Sequence, residues 1–189
     1  MGTVADVRIP MRPLTVEDYE RMVDAGILGE DDRVELLNGQ LSEKAPLSPE
    51  HAAIAQWLAS LLIRGIDDDV ASVRMQLPVR LPPLSEPEPD IAIVPSGVYV
   101  RAHPAEALLL IEIAVSSSRL DLGTKAEIYA AAGVGEYWVV DLPARVVHVH
   151  RSPEGAGYGS CRQVATGALR PPVPGAPAID VAALFALLD

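Results

Sequence analysis

Two carboxylates stand where carboxylates are costly. Asp90 follows Pro89 at the head of the apolar run Ile91-Ala-Ile-Val, and Glu112 interrupts the otherwise apolar stretch Ala107–Val115. A charge in such a stretch needs a partner, either a cation of the protein or a bound metal. Two acids converging at adjacent strand ends suit Mg²⁺, which takes oxygen ligands and commonly keeps several waters. Such an ion polarises a phosphoryl oxygen and lowers the pKa of an attacking water. The competing readings are an edge position facing water and one half of a buried ion pair.

Lys125 is the third element of interest, and one of only two lysines in the chain, with Lys44. On a helix expected over 118–132 it shares a face with Asp121, Ile128 and Ala132. One reading is an i,i+4 pair with Asp121, worth about 0.3 kcal/mol. The other places the ammonium beside a metal-bound water or beside charge developing on a phosphate.

These residues need elements to hold them. A first helix is expected from about Thr15, which can cap it, with Glu17 and Asp18 in the first turn and Gly26 as a stop. Asn38-Gly39 between two apolar stretches predicts a hairpin. Ser48-Pro49 predicts the start of a second helix, whose Ile54, Trp57, Leu58, Leu61 and Leu62 recur at helical spacing and should pack on a sheet. Residues 70–81 read as one bent strand or two short ones, with Pro78 breaking the run. Ile91–Val94 reads as a short strand and Ala107–Val115 as a central one covered on both faces. After the helix that carries Lys125, strands are expected over Glu136–Asp141, Arg145–Arg151 and 157–165, then a short apolar C-terminal helix. The order predicts an α/β or α+β fold, a mixed central sheet flanked by helices, with a strand–helix–strand passage through 107–141. Residues 1–13 are expected to form a loose arm and 14–189 a single domain.

Other candidates have plainer readings. His51, in the first turn of the second helix, reads as a solvated histidine that could instead face the site. Ser118 is expected to cap its helix ahead of its neighbours Ser116 and Ser117. Asp121 could support a metal site or merely pair with Lys125. Glu136-Tyr-Trp reads as core packing. Gly133-Val-Gly135 reads as a turn and not a phosphate loop. His148 and His150 share a strand face without a third ligand nearby, which argues against zinc.

Bulk composition narrows the setting. The chain has 189 residues, enough for one well-buried domain. No apolar run is long enough for a membrane span, and no signal peptide is expected. A single cysteine, Cys161, excludes an internal disulfide and any multi-cysteine zinc site, so a reducing cytoplasm is the simplest setting. Lysine and arginine number 15 against 26 acids, a formal net charge of −11. Without a basic run, a tight non-specific grip on phosphates is not expected.

Pro89-Asp90 followed by Glu112-Ile-Ala in an apolar strand resembles the signature of the PD-(D/E)XK nuclease superfamily. The longer stretch from Ile111 through Leu120-Asp-Leu-Gly-Thr-Lys125 to Glu136-Tyr-Trp-Val-Val-Asp closely resembles the Uma2 family, described as "putative restriction endonucleases". So do Arg33-Val-Glu-Leu-Leu-Asn-Gly and Ser48-Pro-Glu-His. The similarity spans roughly residues 14–188. It implies a restriction-endonuclease-like sheet core, a divalent cation (Mg²⁺ or Mn²⁺) held by Asp90, Glu112 and the carbonyl of Ile113, and phosphodiester hydrolysis, with DNA the expected substrate. The superfamily pattern has a lysine two residues after the glutamate, where this chain has Ala114; Lys125 matches the position from which this family supplies it. Glu35 matches the family pattern as a further member of the acidic site. From the residues alone, Glu35 reads equally well as a solvent-facing strand residue.

The leading expectation is therefore a metal-dependent nuclease. The alternative is a nuclease-fold protein that no longer cuts and serves as a binding or interaction module, in keeping with Ala114 and the acidic surface. Glycosidic-bond hydrolysis by a carboxylate pair is a third, less suited to the lysine and the strand context. The apolar segment Val181–Leu188 and the prolines allow for a homodimer, by analogy with nucleases that cut two strands with two subunits.

Overall fold

Each end of the first helix is settled locally. In the computed structural model, which describes residues 11–29 and 31–189, α1 spans Val16–Asp24. Thr15 Oγ1 accepts from the Asp18 amide while Asp18 accepts from the Thr15 amide, a complete capping box. The Asn38-Gly39 turn joins β1 (Val34–Leu37) to β2 (Gln40–Glu43), and both turn residues adopt positive φ, as a tight hairpin requires. Gly39 is also fixed by space, since a Cβ there would lie 2.3 Å from Pro13 Cβ. Ser48 caps α2 (Pro49–Gly65) through the His51 amide, with Pro49 at the first position.

The central sheet has six strands in the order β3-β4-β5-β6-β7-β8. These are β3 (Ala71–Met75), β4 (Ile91–Pro95), β5 (Leu109–Ala114), β6 (Glu136–Asp141), β7 (Val146–Glu154) and β8 (Gly157–Val164). Only β5 and β6 run parallel; the other neighbours are antiparallel. The parallel pair is joined by a helical crossover, the strand–helix–strand passage expected from the sequence. A small strand pair, β9 (Ala168–Leu169) and β10 (Ile179–Asp180), leads into α5 (Val181–Ala186).

Alternation along the strands divides the core in two. Ile111, Ile113, Trp138, Val140, Val147 and Val149 pack on one face against α2 and α5. On the other face, Leu110, Ala114, Tyr137 and Val139 meet the crossover helix through Ala126, Ile128 and Tyr129. β5 is buried along its whole length, so Glu112 has no exit to water at a sheet edge. The apolar face of α5 is consumed in this core: Val181, Leu184 and Phe185 are buried within the chain. That removes the C-terminal segment as an argument for a dimer.

The crossover departs from the single regular helix expected over 118–132. It consists of α3 (Ser118–Leu120), a wider π-helical segment Asp121–Lys125, and α4 (Ala126–Ala131). Ala132 lies past its end and is exposed rather than sharing the face of Lys125. A π segment diverts backbone hydrogen bonds from the usual ladder. Here the Tyr137 hydroxyl, from β6, donates to the Asp121 carbonyl at 3.0 Å. Among the described residues, no helix is long and apolar enough to cross a membrane.

Candidate active site

The register of β4 against β5 pairs Ile91 with Ile111, so one residue further along Asp90 comes to lie beside Glu112. Both carboxylates are thereby delivered to the sheet face that the crossover helix covers. The π segment and the hairpin supply the rest. Lys125 Nζ lies 3.0 Å from Glu35 Oε1 of β1 and 3.0 Å from Glu112 Oε1 of β5. Glu35, Glu112, Asp121 and Lys125 are each at most 5% exposed, and Asp90 9%. Together they line a cavity of about 240 Å³, with Ile113 also in its wall.

The hydrogen bonds divide the oxygens of each acid. Asp90 Oδ2 accepts from the Ile113 amide at 2.8 Å and contacts His51 Nε2 at 2.9 Å. Its Oδ1 meets only the Gln76 amide, at 3.5 Å. Glu112 Oε1 accepts from both Lys125 and the Tyr129 hydroxyl, the latter at 2.8 Å, and no protein donor among the described residues reaches Oε2. Glu35 Oε2 accepts from the Glu88 amide at 2.9 Å. Asp121 accepts from Ser117 Oγ at 2.5 Å, so the serine hydroxyls act here at Ser117 and not as a cap at Ser118.

Electrostatics follow from this crowding. For Asp90, burial opposes ionisation, yet the His51 hydrogen bond and charge, the Ile113 amide and Lys125 together hold its carboxyl below the usual carboxylate range. Burial pushes Glu112 upward; Lys125 opposes this, while Asp90, Asp121 and Glu35 add to it. Burial likewise raises Asp121, against its Ser117 hydrogen bond and Lys125. Burial alone would lower Lys125, but Glu112, Glu35 and Asp121 outweigh it and hold the ammonium charged. Four carboxylates thus share one lysine. A second cation would relieve their mutual repulsion.

The donor set fits a hard divalent ion. Asp90 Oδ1 and Glu112 Oε2 are carboxylate oxygens without a strong protein donor, on adjacent strands and in one cavity. Among the described residues, no group of three or more His, Cys, Asp or Glu side chains converges to hold an ion on its own. Two carboxylates, a backbone carbonyl and water form the kind of sparse shell that Mg²⁺ accepts, and leave out the softer metals that need nitrogen or sulfur.

Several expectations change in this light. Lys125 makes no ion pair with Asp121; it bridges Glu35 and Glu112 instead. Glu35 is buried and not solvent-facing, because Leu36 bridges Glu86 and the following segment covers the hairpin. His51 is 7% exposed and bound to Asp90, not solvated. Tyr129 escaped sequence reasoning, although its place one turn after Lys125 puts both on the face towards Glu112. The Glu88 and Ile113 amides left no signal at all, since backbone donors carry no residue type. His148 and His150 do share a face of β7, where His148 lies 3.6 Å from Asp141 and His150 3.7 Å from Cys161.

Comparison with known proteins agrees with this architecture. The family model Uma2, described as "Putative restriction endonuclease", matches residues 16–183. No curated protein matches the chain. Among solved structures the chain is similar to a "putative nuclease belonging to DUF820" from Anabaena variabilis, at 18% identity, covering 94% of this chain and 100% of that one, with a TM-score of 0.74. At that identity the likeness is one of fold.

Proposed function

The chain belongs to the Uma2 family, whose model matches residues 16–183, and from that premise we propose that it is a metal-dependent nuclease hydrolysing phosphodiester bonds, with DNA as its substrate. The observation that carries this reading is the buried constellation Asp90–Glu112–Lys125–Glu35 around one cavity. Asp90 and Glu112, with the carbonyl of Ile113, would hold Mg²⁺ or Mn²⁺. Such an ion supplies Lewis-acid polarisation of the phosphoryl oxygen and a more acidic water.

The remaining work falls to the chain's own groups. Lys125 presents a charged ammonium in a water-poor cavity, where it stabilises charge developing on a phosphate far better than it would in bulk water. Glu35 anchors that ammonium from the side opposite Glu112. Tyr129 fixes Glu112 Oε1, and Oε2 has no protein donor among the described residues. The lysine reaches the site from the crossover helix, so Ala114 is no obstacle to catalysis in this reading.

The test is calorimetric titration of Mn²⁺ into the wild type and the Asp90→Ala and Glu112→Ala variants, alongside cleavage of a labelled DNA. Binding and cleavage should be present in the wild type and lost in both variants. A folded wild type that binds no Mn²⁺ at millimolar concentration would instead favour the non-cutting interaction module, a reading that the acidic surface also suits.

A further inference from the structure

We infer that His51 is a positioning residue that locks the Asp90 carboxylate in a single orientation, with Oδ1 alone offered to the cavity; this rests on the metal-binding reading above. Two donors from two different elements converge on Oδ2: His51 Nε2 from the N-terminus of α2, at 2.9 Å, and the Ile113 amide from β5, at 2.8 Å. With Oδ2 engaged twice, rotation of the carboxylate would break both contacts. Among the described residues Oδ1 has only the 3.5 Å approach of the Gln76 side-chain amide and is left to accept a ligand.

His51 is itself held. Its amide donates to Ser48 Oγ at 3.2 Å in the cap of α2, and its ring is almost fully buried. Nε2 donates to the carboxylate, which leaves Nδ1 in need of a partner of its own. Among the described residues Nδ1 is buried without a hydrogen-bond partner. An unmatched buried polar nitrogen is a cost to stability that an aliphatic side chain would not carry. What the imidazole gains in return is its contact with Asp90. The same arrangement argues against His51 as a direct ligand, since one nitrogen is spent on Asp90 and the other is sealed off.

The experiment measures Mn²⁺ affinity by calorimetry and melting temperature in EDTA, for wild type, Asp90→Ala, His51→Leu and His51→Gln. His51→Leu should bind Mn²⁺ roughly 10- to 100-fold more weakly, the range seen when a group orienting a metal ligand is removed. Its melting temperature in EDTA should fall below that of the wild type, since Asp90 Oδ2 loses one of its two buried donors. His51→Gln, which keeps an N–H donor near the same place, should recover most of the affinity. Should the leucine variant not fold, His51→Met gives the same readout. Wild-type affinity in His51→Leu, with binding lost in Asp90→Ala, would overturn the positioning role and leave the metal site standing. No Mn²⁺ binding by the folded wild type would overturn both.

Discussion

Lys125 sits at 3.0 Å from Glu35 and from Glu112, which makes it the cation that neutralises the site when no metal is present. A divalent ion binding beside Glu112, as proposed, would therefore compete with an ammonium already in place. Replacing Lys125 with methionine keeps the apolar stem but strips two buried carboxylates of their partner. In EDTA this should destabilise the fold by about 3 kcal/mol, the cost of breaking one side of a buried pair. Mn²⁺ should restore most of that loss, and should bind as tightly as to wild type or about tenfold tighter, while cleavage falls at least roughly 100-fold. Thermal melts with and without Mn²⁺, set beside an initial-rate assay, check this. Loss of Mn²⁺ binding in that variant would mean the lysine assists the ion and does not compete with it.

Among the elements, the segment between β3 and β4 helps to bury the site. Its Glu86 exchanges backbone hydrogen bonds with Leu36 and so closes the hairpin over Glu35. The Glu86 side chain pays for that position: it is 4% exposed, with Oε2 unpartnered. Burial, with Glu20 and Glu88 nearby and Arg80 opposing, pushes its carboxyl up to about 7 from an ordinary 4.5. The native state therefore binds this proton more tightly than the unfolded chain, and stability falls as pH rises from about 4.5 to 7. Glu86→Gln should lack this component. The stability difference between variant and wild type should change by roughly 2–3 kcal/mol between pH 5 and pH 8. Urea unfolding at pH 5 and pH 8 measures it; a difference independent of pH would show that Glu86 ionises freely in the fold. The crossover helix positions groups in another way. Its π segment turns both Asp121 and Lys125 inward, and the Tyr137 hydroxyl engages the Asp121 carbonyl there.

For the molecule as a whole, a net charge of −11 meets a proposed polyanionic substrate. Half of the described lysines and arginines are committed to acids: Arg12 and Arg21 to Asp18, Lys44 to Glu88, Arg80 to Glu17 and Glu20, Lys125 to Glu35 and Glu112, Arg145 to Asp189, and Arg151 to Glu136. Near the cavity, Arg33 and Arg119 are exposed and make no ion pair among the described residues. Few phosphates can therefore be neutralised at once beside the cavity. For DNA bound to the non-cutting Lys125→Met variant, the slope of log affinity against log salt should be shallow, on the order of −2, as about two phosphate contacts would give. Fluorescence anisotropy from 50 to 300 mM salt measures it. A slope steeper than about −5 would reveal a basic surface that these charges do not explain.

The features legible in the amino-acid order are those that local chemistry sets. The capping box at Thr15, the Asn38-Gly39 turn, the Ser48-Pro49 helix start and the apolar run that Glu112 interrupts in β5 were legible because each depends on residues within a few positions of one another. Asp90, Glu112 and Lys125 were legible for a related reason: a charge in an apolar stretch, or a rare lysine, stands out against its own neighbours. The tertiary structure alone decided which groups meet. His51 reaches Asp90 across 39 positions and Glu35 reaches the Glu88 amide across 53. Whether a histidine or a strand glutamate faces water depends on what folds over it, here the segment carrying Glu86. The π segment was equally hidden, since a five-residue turn and a four-residue turn differ by one backbone hydrogen bond that the packing of Tyr137 and Lys125 decides.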